Sequence, residues 1–111
     1  MNTKLLIPVF LALVYGQSLA AEGNITINSP TSGTTVSAKS KVSVSYEAML
    51  SSMGDHLHLY VDGKRIDVLR QLKSNTELDA LTPGKHKICL VENTKSHAST
   101  GLESCVEVLT Q

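Results

Sequence analysis

The side chains with the most chemistry to offer in this 111-residue sequence are His56, His58, His97, Met53, Cys89 and Cys105. His56 and His58 stand two apart in residues 55–61, a run that alternates and puts Leu57, Leu59 and Val61 on one face. On a β-strand, residues i and i+2 leave the same face with Cα atoms about 6.7 Å apart. Two imidazoles at that separation converge readily on one ion at metal–nitrogen distances of about 2.0 Å. Since the leucines claim the core side, both histidines are expected to be accessible. The connection just before them carries Met49 and Met53. Imidazole with thioether suits copper, whereas magnesium and calcium want several hard oxygens.

Whether His97 joins them depends on the elements that carry it. Residues 87–91 and 102–109 alternate like strands, and residues 93–101 between them are polar and rich in turn formers. A hairpin folded about His97 sets Ile88 opposite Val106, Leu90 opposite Ser104, Lys87 opposite Glu107 and Cys89 opposite Cys105. One register thus satisfies an apolar match, an ion pair and a disulfide. A redox or metal role for the two cysteines has less support: they do not form a CxxC pair, and no basic residue adjoins both.

The rest of the chain supplies further short strands. Residues 24–28, 34–37, 41–47, 64–69 and 76–81 alternate or are β-branched, and Asp62-Gly63 and Thr82-Pro83-Gly84 mark turns between neighbours. About seven short strands with regularly spaced turns and no convincing amphipathic helix predict an all-β fold, a single immunoglobulin-like antiparallel β-sandwich. In that topology the loop before the histidine strand and the loop of the last hairpin share one end. His56, His97 and the thioethers therefore gather at one pole, with His58 a step deeper. His86, at the start of the penultimate strand, falls towards the other pole.

The run Gly54-Asp55-His56-Leu57-His58-Leu59-Tyr60-Val61-Asp62-Gly63, with Leu81-Thr82-Pro83-Gly84-Lys85-His86 and then His97 downstream, resembles a group of small exported bacterial domains. These have a histidine-rich strand, a Pro-Gly-x-His turn and an immunoglobulin-like sandwich, and some carry more histidines on that strand. The resemblance covers residues 54–108. It implies a periplasmic accessory or binding domain and brings no catalytic activity with it.

Residues 1–20 read as a secretory signal peptide: Lys4, a short apolar run broken by Pro8, and Ser18-Leu19-Ala20 at the end. The apolar run is too short for a retained membrane span, which takes about 20 residues. Residues 21–111 are then the sandwich domain, in the periplasm or secreted, where thiols are oxidised. Charge is nearly balanced, and Tyr46 and Tyr60 are the aromatics left after residue 20. Neither feature suits nucleic acid as a partner. With no nucleophile elbow and no glycine-rich phosphate loop, the sequence does not read as an enzyme. Two functions remain in view. One is a binding protein that takes a metal ion, copper first, through His56, His58, His97 and Met53. The other is a structural module that holds no metal and engages a protein partner through loops or an edge strand.

Overall fold

A computed structural model describes residues 22–111. The signal-peptide reading of residues 1–20 lies outside them. The strands are β1 (Asn24–Ser29), β2 (Thr34–Val36), β3 (Val42–Met49), β4 (His56–Val61), β5 (Lys64–Leu69), β6 (Lys73–Leu78), β7 (Gly84–Asn93) and β8 (Ser99–Thr110). They form a three-stranded sheet, β1-β3-β6, packed on a five-stranded sheet, β2-β8-β7-β4-β5. This is the immunoglobulin-like sandwich expected from the turn spacing. The pairings are antiparallel except for short β2, which runs parallel to the end of β8. No helix forms among the described residues, including 67–72, where the sequence comes nearest to helical periodicity.

Alternation fills the space between the sheets. Val42, Val44 and Tyr46 of β3 face Leu57 and Leu59 of β4, Ile88 and Leu90 of β7, and Val106 and Val108 of β8. Burial of these apolar faces is the main drive for folding. Tyr46 is the one aromatic in that core, and its hydroxyl donates to the Gln71 carbonyl at 2.8 Å. Asp62 and Gly63 both take positive φ, 54° and 83°, as a two-residue turn twisted to match its strands requires.

The β7–β8 hairpin has the register drawn from the sequence: Lys87 opposite Glu107, Ile88 opposite Val106, Cys89 opposite Cys105 and Leu90 opposite Ser104. Cys89 and Cys105 are bonded, with S–S at 2.07 Å, within one sheet.

At the far pole His86 clamps two turns together. Its Nδ1 donates to Asp62 Oδ2 and its Nε2 to the Thr82 carbonyl, both at 2.6 Å. Both partners are acceptors, so the ring carries two protons. The Asp62 carboxylate first, and the Thr82 carbonyl next, raise the His86 pKa above its usual value. Because the folded-state pKa is the higher one, the clamp contributes fully below about pH 6.5 and is lost as pH rises through the folded value. Thermal melts from pH 5 to 9 are expected to show wild type losing its advantage over His86→Gln as pH rises. A pH-independent difference between the two would contradict the clamp.

Candidate metal centre

β4 presents His56 and His58 on the outer face of the five-stranded sheet, opposite Asn93 and Val91 of β7. His97 arrives from the tip of the β7–β8 hairpin. There it adopts φ +69°, a left-handed conformation that costs a non-glycine residue on the order of 1 kcal/mol. The tip is closed by Thr94 N–H on the Ala98 carbonyl at 2.8 Å and His97 N–H on the Thr94 carbonyl at 2.9 Å.

The three rings meet. His56 Nε2 is 3.0 Å from His58 Nε2 and 3.2 Å from His97 Nδ1, and His58 Nε2 is 3.1 Å from His97 Nδ1. Accessibility is where the sequence expectation fails. His56 is 0 % and His58 2 % exposed, while His97 stays exposed. Alternation does turn the leucines to the core, but the hairpin tip folds over the opposite face. The His97 ring lies edge-on to His56, with centroids 4.5 Å apart, and shields the pair from water.

Three nitrogens in such a triangle cannot all be hydrogen-bonded to one another. Each nitrogen of a neutral imidazole either carries a proton or offers a lone pair. With three members, at least one of the three contacts joins two protons or two lone pairs. A cation at the centre removes that conflict by taking three lone pairs at once. For metal–nitrogen distances of about 2.0 Å, the observed spacings correspond to N–metal–N angles of about 100°. Three donors so placed would hold an ion as a pyramidal tripod.

The surroundings orient the rings. His56 Nδ1 donates to Asp55 Oδ2 at 2.8 Å, leaving its Nε2 free to act as a ligand, and Arg70 Nη1 holds the same oxygen at 3.3 Å. The hydrogen bond from His56, then the charges of His56 and Arg70, hold the Asp55 carboxyl below the usual carboxylate range against some desolvation. Burial chiefly, and then the nearby His56, Arg65, His97 and Arg70, push the His58 pKa down, so this ring stays neutral at pH 7. Its Nδ1 is buried and has no hydrogen-bond partner. Asp55→Asn keeps an acceptor beside His56 but loses the charge. It is expected to weaken metal binding by about tenfold, as for outer-shell carboxylates on ligating histidines, with little change in the urea midpoint. Unchanged affinity would mean that Asp55 does not orient the ring.

Among the described residues, His56, His58 and His97 are the group of histidine, cysteine or carboxylate side chains placed to share an ion. Met53 is 68 % exposed and lines a groove with Gly23, Ser51, Glu92 and Thr100 at the rim between the sheets. His86 is at the opposite pole, as chain order predicts. Sequence reasoning missed Arg70, which reaches Asp55 from beyond β5, and Glu92, which is buried behind the site; neither belongs to a local pattern.

No family model matches the chain, and no curated protein matches it. Solved structures that share its fold include the following two. Fibronectin(III)-like modules of Clostridium thermocellum CbhA align with a TM-score of 0.66 and 17% identity, over 79% of this chain and 97% of the module. A lytic polysaccharide monooxygenase from Jonesia denitrificans aligns with a TM-score of 0.52 and 13% identity, over 78% of this chain and 77% of the other. At these identities the likeness establishes an immunoglobulin-like β-sandwich and nothing about activity. An internal disulfide fits a protein exported to an oxidising compartment. No helix among the described residues is long and apolar enough to cross a membrane.

Proposed function

We propose that this protein is an exported copper-binding domain that captures the ion on His56, His58 and His97. The observation that carries the reading is the nitrogen triangle, with edges of 3.0, 3.1 and 3.2 Å, which hydrogen bonding cannot satisfy and a cation can. Imidazole nitrogens in a nearly dry setting suit copper or zinc, and an exported domain with exposed thioethers at Met49 and Met53, in the segment leading to β4, favours copper. The chemistry is capture and release. Neutral rings hold the ion, and protonation competes with it below about pH 6. His56, His58 and His97 would hold the ion through three nitrogens and would leave it able to accept a further donor. The resemblance to small exported histidine-strand domains supports an accessory role in the periplasm.

The second reading, an interaction module without metal, draws on β5. Its outer edge lacks a strand partner in the five-stranded sheet, and Ile66 on it is 49 % exposed. Metal analysis of untagged protein, purified from the periplasm without chelators, separates the two. About one copper per chain is expected. Metal-free protein from copper-replete cells, with no uptake on adding one equivalent, would leave the interaction module as the better account.

A further inference from the structure

Glu92 is fully buried although it is a carboxylate, and nothing in the proposed ion capture uses it. Both of its oxygens are engaged. Oε2 accepts the Ser51 backbone N–H at 2.7 Å, and Oε1 accepts the Ser51 and Thr100 hydroxyls, each at 2.6 Å. Burial pushes the Glu92 pKa up, but these hydrogen bonds together outweigh it and hold the group in its anionic form.

The partners lie on two different segments. Ser51 belongs to the connection that leads through Gly54 and Asp55 into His56 and His58. Thr100 is the second residue of β8, just past the tip that carries His97. Opposite this point the hairpin register slips. Val91 faces Glu103 and Asn93 faces Ser99, so Glu92 alone stands against residues 100–102, with Gly101 at φ +96°. A bulge of this kind bends a strand and re-aims the residues next to it. Gly54 belongs to the same construction, since a Cβ there would collide with the Glu92 carboxylate. The Asp55 N–H on the Asn93 carbonyl, at 2.8 Å, ties the same connection to the end of β7, where the hairpin tip begins.

We infer that Glu92 is a positioning residue for the histidine tripod: its buried carboxylate fixes the bulge at Thr100 against the Ser51 connection, and so holds His97 over His56 and His58. The inference rests on the copper-capture reading. Without the tie, His97 swings on a longer, looser hairpin end, and the ion meets a two-histidine site that must recruit its third ligand.

The test is a cycle of variants read by Cu(I) affinity, using competition with a chromogenic chelator. Thr100→Val, which keeps the shape and deletes the hydroxyl, and Glu92→Gln are each expected to lower affinity about fivefold to tenfold. In a His97→Ala background neither is expected to change affinity further, because the ligand they position is gone. Thr100→Ser restores the hydroxyl and wild-type affinity. A merely structural role would lower the urea midpoint equally in both backgrounds without this dependence on His97. Should Glu92→Gln not fold, Thr100→Val and Thr100→Ser carry the comparison alone. Equal affinity in folded Thr100→Val and wild type, or an equal drop in both backgrounds, overturns the positioning role. Equal affinity of wild type and His97→Ala is a separate result: it removes the three-histidine site itself, and the role of Glu92 falls with it.

Discussion

His97→Ala is expected to weaken copper binding by tenfold or more, about 1.4 kcal/mol, because it removes one of three direct donors. His56→Ala and His58→Ala are expected to do at least as much. Each of those also opens a cavity beside a residue that is almost completely buried, at 0 % and 2 % exposure. His86→Ala is the control, since its ring is committed to Asp62 and Thr82 at the other pole. Met53→Leu keeps volume and deletes sulfur. With three imidazoles as the ligand set it binds like wild type, and a loss confined to Cu(I) would add the thioether as a fourth donor. Competition titrations at pH 7 with untagged protein read all five. The contrast among them is what counts, because an exposed histidine pair alone picks up copper. Equal affinity across the set contradicts a shared site.

Breaking the Cys89–Cys105 bond is expected to lower stability by about 3 kcal/mol, from the loop-closure entropy of a span of this length. The fold should survive, because the flanking pairs Ile88–Val106 and Leu90–Ser104 hold the register without it. Urea unfolding of oxidised protein against Cys89→Ala/Cys105→Ala reads the difference. Coincident midpoints would mean that the bridge constrains little. The same bond closes the hairpin that ends in His97, so the double variant is also expected to bind copper more weakly.

Local patterns made much of this legible from sequence. Period-2 alternation in residues 41–47 and 55–61 put Val44, Tyr46, Leu57 and Leu59 in the core, where they lie. The Asp62-Gly63 turn and the register that pairs the two cysteines also come from chemistry a few residues wide. Chain topology alone brought His97 to His56 and His58. Burial of the two strand histidines was not legible. Alternation reports which face a side chain leaves by, and it is silent about what later folds over that face. The cover comes from a hairpin tip 41 positions along the chain from His56, aimed by a bulge at Thr100. Glu92 escaped for a related reason. A charged residue near the end of a strand normally reads as solvated, and its burial depends on Ser51 and Thr100, which it meets only in the folded state.

Gly54 shows how a motif residue can carry more than its local role. It opens the histidine-strand motif, and the structure uses its missing side chain to admit the Glu92 carboxylate. Gly54→Ala is accordingly expected to disturb the site from behind, without touching a ligand.

X-ray absorption at the copper edge, on untagged protein loaded with one equivalent of Cu(I), reads the ligand set of the ion itself. Three nitrogen scatterers at about 2.0 Å with the outer-shell pattern of imidazole are expected. A two-coordinate spectrum, or one dominated by sulfur, would contradict the tripod of His56, His58 and His97.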